Sequence, residues 1–162
     1  MYIDAALIPA DARIWIYQSN RELRGPEISA ISEKAKQFLK TWTAHDNALR
    51  ASFEIRYGYF LVIMIDKNYT QASGCSIDKS VHFVQSIEKE FDITLMDRML
   101  FAYKNNDRVE VVSKKEFGNL LSKNIVHDDT IVFNNLIQTK EELYKNWEVP
   151  LKESWHKSVI SH

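Results

Sequence analysis

Six consecutive apolar residues, Phe60–Ile65 (FLVIMI), constrain this chain more than any other feature. Side chains on a strand alternate between its two faces, so an unbroken apolar run has to be covered on both, as a central strand is. The run leads through a polar stretch ending in Ala72, Ser73, Gly74, Cys75 and Ser76 into a helix-patterned segment over Ile77–Phe91. There Ile77, Val81, Val84 and Phe91 share one stripe, while Glu88, Lys89 and Glu90 turn to water. A strand that feeds a helix through small residues leaves the helix's first amides without intrahelical partners and pointing outward. Residues 60–91 thus supply the centre of the fold and a first candidate site.

Upstream, Arg13–Tyr17 alternates around bulky β-formers and is predicted as a strand. Asn20–Gly25 connects it to a helix whose first turn suits Pro26, because the missing N–H is not needed there. Ile28, Ile31, Ala35, Phe38 and Trp42 follow helical spacing, which predicts about four turns ending near Thr43. Leu49–Tyr57 alternates, with Phe53, Ile55 and Tyr57 on one side and Ser52, Glu54 and Arg56 on the other. Gly58 permits a tight reversal into Phe60–Ile65, so these two strands form a hairpin. Downstream, strands at Met99–Tyr103 and Val109–Val112 flank the turn residues Asn105, Asn106 and Asp107. The order β-α-β-β-α-β is that of a ferredoxin-like fold, here with one added strand. A short helix over Lys114–Ser122, a strand at Thr130–Phe133 and a helix at Lys140–Trp147 follow. The tail Glu148–His162 carries Pro150, Leu151 and Trp155, apolar groups expected to dock. The predicted class is α+β: one domain over 1–162, with a ferredoxin-like core over about 10–113 and a C-terminal α/β extension over about 114–162.

Composition narrows the function classes. A chain of 162 residues, 45% apolar and 27% charged, suffices for one full hydrophobic core. Lys and Arg number 21 against 22 Asp and Glu, so no overall basic field gathers phosphate backbones or anionic lipid, and nucleic acid is disfavoured as a partner. No run approaches the roughly 18 apolar residues of a membrane helix. The first residues, MYIDAALIP, lack the basic start of a signal peptide. The expectation is a soluble, cytoplasmic protein with no membrane partner. The single cysteine, Cys75, excludes an internal disulfide and a multi-cysteine metal cluster and fits a reducing compartment. No cofactor is implied.

The start of the helix near Ser76 admits three chemistries. Ser73–Ser80 (SGCSIDKS) places Lys79 and Ser80 as a phosphate-binding P-loop does, yet Ser73 and Asp78 stand where that loop needs glycines. With glycines only at 25, 58, 74 and 118, no other segment supplies such a loop. A looser anion site remains open: free amides over Ser73, Gly74, Cys75 and Ser76, the Ser76 and Ser80 hydroxyls, and the Lys79 ammonium. Against it stands a plain capped helix, in which Ser73 or Ser76 accepts from first-turn amides and Asp78 complements the dipole. The third is thiol chemistry, since a cysteine at a helix N-terminus can be activated when a base lies near, and His45, His82, His127 and His156 are the histidines that could serve. His82 is two turns along the same helix, too far for direct contact.

Over nearly its full length the chain resembles a family of short bacterial proteins labelled "ABC transporter ATPase". The segments carrying the likeness are Trp15–Arg21 (WIYQSNR), Ala72–Ser80 (ASGCSIDKS), Thr130–Asn135 (TIVFNN) and Trp147–His156 (WEVPLKESWH). The label implies ATP hydrolysis, whereas the residues at 73–80 do not form a nucleotide-binding loop and Cys75 replaces the second glycine of the transporter signature. A genuine ATPase of that type is therefore disfavoured.

The remaining constellations are short. His45–Asp46 and His127–Asp129 contain metal-ligand types but read as polar turns, so no metal site is expected. Arg56–Phe60 (RYGYF) is similar to an aromatic RNA-binding motif with its glycine displaced, and Gly58 is better used in the hairpin turn. Glu54 and Arg56 form an ion pair on one strand face. Ser154 and His156 resemble fragments of a triad, but adjacency in sequence is not triad geometry. Trp147 and Trp155 are candidates for anchoring a protein partner. The expected function is a non-catalytic binding or regulatory protein for a protein partner or a small anion, the alternative being a small thiol- or phosphate-dependent enzyme using Cys75, Ser76 and Lys79.

Overall fold

In a computed structural model that describes residues 1–160, the chain runs through nine strands and five α-helices among those residues. In order they are β1 (Arg13–Gln18), α1 (Gly25–Lys40), β2 (Thr43–Ala44), β3 (Asn47–Ala48), β4 (Ala51–Arg56), β5 (Phe60–Ile65), α2 (Gly74–Phe91), β6 (Leu100–Asn105), β7 (Arg108–Ser113), α3 (Lys114–Ser122), β8 (Ile131–Phe133), α4 (Lys140–Lys145), β9 (Glu148–Pro150) and α5 (His156–Ile160). The class is α+β with antiparallel sheets, as expected. The residues gather into two compact units, one of Met1–Met96 with Gln138–Glu141, the other of Asp97–Ile137 with the chain from Glu142 on. The strands near 100–112, grouped with the core from sequence, thus belong to the second unit.

The first unit is built on β5, whose six residues are all buried. It is the middle strand of a three-stranded antiparallel sheet ordered β1-β5-β4, with Ile63 opposite both Trp15 and Phe53. Three residues, Tyr57, Gly58 and Tyr59, join β4 to β5, with Tyr57 at φ 57° and Gly58 at φ 70°, the left-handed pair that matches strand twist in a tight hairpin. On the Leu61, Ile63 and Ile65 face, α1 contributes Ile31, Ala35 and Leu39 and α2 contributes Val84 and Ile87 to one core. Phe38 of α1 stacks on Phe83 of α2 at 4.7 Å between ring centroids, and Lys34 pairs with Glu90 at 3.0 Å. Trp42, placed on the first helix by its spacing, sits just past the helix end and is buried there.

These strands and helices have the first five members of the ferredoxin-like order in the matching arrangement, but the sixth does not join them. β6 pairs instead with β7 and β8 in a sheet ordered β7-β6-β8-β9, so the four-stranded ferredoxin-like sheet is not formed. The outer edge of β1 is covered by residues 138–140. Gln138 O accepts from Ile14 N at 2.9 Å, Lys140 N donates to Ala12 O at 3.0 Å, and Thr139 bridges Arg13. Covering that edge removes a row of backbone groups that would otherwise template pairing with another chain.

Charge closes the loop after β1. Arg21 grips Glu27 of α1 through both guanidinium nitrogens, at 2.9 and 2.8 Å, and donates to Phe91 O at the end of α2 at 2.8 Å. Arg24 adds its amide and Nε to the same carboxylate. Hydrogen bonds from Arg21 and then Arg24 hold the Glu27 carboxyl far below the usual range. Arg21 also brings positive charge to the carbonyl end of α2, where the helix dipole favours it.

In the second unit β6 and β7 form a hairpin through Asn106, at φ 59°, and α3 lays Phe117 on Phe101 and Tyr103. β9, over residues 148–150, was not expected from sequence; it pairs Val149 with Val132 and extends the sheet. Leu151, Trp155, Val159 and Ile160 pack onto the same core, so the tail docks as its apolar residues require.

Candidate functional site

Ser73 is the N-cap of α2, its backbone extended at φ −103° and ψ 166°. Its Oγ accepts from Ser76 N at 3.1 Å; Ser76 Oγ accepts from Ser73 N at 2.7 Å and donates to Ser73 O at 2.8 Å. This is a reciprocal capping box with serine in the place usually taken by glutamate. The Trp42 indole Nε1 donates to Ser76 O at 2.9 Å in the buried interior, and Ser80 Oγ donates to Ile77 O at 2.6 Å. Burial raises the pKa of the Tyr17 hydroxyl, and the neighbouring Ser80 side chain opposes that rise.

The helix start thus has two sides. Ser76 and Ser80 face inward, on the buried stripe that Val84 and Ile87 continue, and their hydroxyls are used by the fold. Gly74, Cys75, Asp78 and Lys79 face out and are exposed, with Ser73 half-buried between the two sides. The six residues proposed as one ligand cluster therefore do not converge. Replacing the apolar residue at i with serine in a helix stripe hides a core position from hydropathy, which is why sequence placed Ile77 and Val81 on the stripe instead. No hydrogen bond or ion pair reaches Cys75 among the described residues, and His82 is exposed further along α2.

Other candidates resolve into packing. Trp147 is fully buried, donates from Nε1 to Asn135 Oδ1 at 2.9 Å and tilts against Phe133 at 4.9 Å, so it cannot present its indole to a partner without unfolding. Trp155 is half-buried and stacks on His156 at 3.8 Å. Ser154 and His156 do meet, with Oγ 2.6 Å from Nδ1, but both are buried and Phe101 packs edge-on against the imidazole at 4.8 Å. Burial holds His156 down to about 4, so it is neutral at pH 7. His45 and Asp46 form an exposed turn between β2 and β3 at φ 51° and 65°. Asp128 pairs with Lys157 and Asp129 with Lys152, and no cluster of three or more metal-ligating side chains exists among the described residues. Glu54 and Arg56 form their expected ion pair at 2.9 Å. Tyr57 and Gly58 occupy the hairpin turn, away from a sheet face where bases could stack.

One concavity was not anticipated. A groove of about 420 Å³ in the second unit is lined by Met99, Lys114, Lys115, Gly118, Asn119 and Ile160. Met99 is 63% exposed beside it. Lys114 and Lys115 form no ion pair among the described residues. The sequence did hold a signal: two lysines in a helix's first turn oppose its dipole, and a glycine inside a helix weakens it.

No helix among the described residues is long and apolar enough to cross a membrane. No protein-family model, no curated protein and no solved structure matches the chain.

Proposed function

We propose that this chain is a non-catalytic binding protein of the cytoplasm whose partner is another protein. The observation that carries this is the reciprocal Ser73–Ser76 cap. The Ser73 and Ser76 hydroxyls and amides, half of what an anion or phosphoryl site there would use, are bonded to each other, and the Ser80 hydroxyl to the helix backbone. An anion held by the serine hydroxyls and amides would have to displace those bonds, and a nucleophilic Cys75 would have to work without a base held against it. The interior chemistry, including the Ser154–His156 contact, is sealed by aromatic rings.

The lone thiol supplies the test. The alkylation rate of Cys75, followed across about pH 5 to 10, is expected to be the same with and without millimolar phosphate or ATP. Protection of the thiol by either anion, by about tenfold or more, would replace this reading with the thiol- or phosphate-dependent enzyme using Cys75, Ser76 and Lys79.

A further inference from the structure

We propose that the groove along α3, lined by Met99, Lys114, Lys115 and Gly118, docks an acidic polypeptide segment of a partner protein through an apolar side chain flanked by carboxylates. This names the surface for the binding function above and rests on it.

Three locally unfavourable choices meet at this groove. Lys114 and Lys115 occupy the first turn of α3, where the dipole already presents positive charge, and neither is neutralised by an ion pair among the described residues. Gly118 lies inside the helix, yet a Cβ built there meets nothing within 4 Å, so no neighbour in the fold requires the missing side chain. Met99 leaves its thioether chain in water, and Met is the apolar residue most able to adapt to a partner. A ligand bringing negative charge to the lysines and an apolar group to Met99 relieves the first and the last, and the absent side chain at Gly118 leaves room for it. Of the acids nearby, Asp97 turns its carboxylate to Met99 N at 2.9 Å, and Glu116 shares the first turn of α3 with the two lysines.

The attraction comes from side chains, not from free helix amides. Lys114 N is bonded to Met99 O at 3.1 Å and Glu116 N to Ser113 Oγ at 3.1 Å. Spacing along the helix puts Lys114 over Gly118 and Lys115 over Asn119, so the trough runs with the helix axis. A small amphiphile needs an enclosure that buries most of its surface, whereas an open trough suits a chain that covers the rim as well.

The test is selection of a random peptide phage library on the full-length protein. Enriched peptides are expected to combine two or more Asp or Glu with an apolar residue. Their binding should weaken at least about tenfold with the double variant K114E/K115E and with G118L, and persist with K114R/K115R. Near-UV circular dichroism on each variant establishes that the fold is kept; should G118L not fold, G118A is used in its place. Peptides whose binding ignores these variants would overturn the groove while leaving a binding protein. No enriched peptide at all would overturn both. Displacement of the peptides by decanoate at concentrations where it binds the wild type more tightly than they do would overturn the polypeptide in favour of a small amphiphile.

Discussion

Ser73 and Cys75 stand two residues apart and have opposite consequences. The Ser73 hydroxyl accepts an otherwise orphan amide, and its replacement by alanine should cost about 1 kcal/mol of stability, read from the urea midpoint. Cys75→Ser alters an exposed side chain with no bond among the described residues and should change the midpoint within about 0.5 kcal/mol. A larger effect at Cys75 than at Ser73 would contradict the cap as drawn. His156 makes the second prediction at this scale. Its proton affinity is lowered from 6.5 to about 4 by burial, so the unfolded chain takes up a proton that the folded chain refuses. The stability associated with neutral His156 is complete above about pH 6.5 and is lost as pH falls toward about 4, by on the order of 3 kcal/mol. His156→Gln keeps a partner for the Ser154 hydroxyl and cannot titrate. Its denaturation midpoint should depend less steeply on pH between those limits than that of the wild type, and equal slopes would place the acid sensitivity elsewhere.

At the scale of elements, helix and strand type were legible wherever one face is uniformly apolar. β5 and α1 were found from sequence because burial on both faces leaves an unbroken run and burial on one leaves a stripe, as at Ile31, Ala35 and Leu39. The start of α2 was legible as a cap because serine at a helix start has few other uses, whereas its buried hydroxyls at Ser76 and Ser80 were not, since hydropathy reads them as surface. Pairing was the part that periodicity could not give. β6 alternates as a strand in either sheet would, so its period does not tell that it pairs with β7 and β8. β9 is three residues ending in Pro150, too short to show a period at all. The groove along α3 was written in exceptions to helix rules and not in a motif. Those exceptions make a prediction independent of any ligand: Gly118→Ala fits the open space beside α3 and should raise stability by about 0.5 to 1 kcal/mol, measured by urea denaturation. A loss of stability would mean that Gly118 serves packing in the fold, and the groove would lose part of its support.

Over the whole molecule, the deciding connection is between residues that lie far apart in sequence. Lys140, 9% exposed, donates from Nζ to Ala5 O and Ile8 O, both at 2.7 Å, across separations of 135 and 132 residues. The first of these carbonyls opens a short 3-10 turn over Ala5–Leu7, and the backbone of residues 138–141 continues the same attachment by bonding Ile14, Ala12 and Ala10. The first unit's sheet is therefore completed by a segment that follows it by some forty residues of chain belonging to the other unit, and a lysine that hydropathy places on the surface fastens it. Lys140→Met keeps the aliphatic stem but leaves the Ile8 carbonyl without its donor, while Ala5 O still accepts from Ile8 N at 3.1 Å. An orphaned carbonyl costs about 1 to 3 kcal/mol where water cannot replace the partner. The variant should melt at a lower temperature, and the Ile14 amide, which donates to Gln138 O at 2.9 Å, should exchange its hydrogen faster while amides at the centre of β5 keep their protection. Unchanged exchange at Ile14 would mean that the backbone bonds alone hold residues 138–141 to β1. Uniform acceleration through β5 would mean instead that this edge and the central strand open as one cooperative unit.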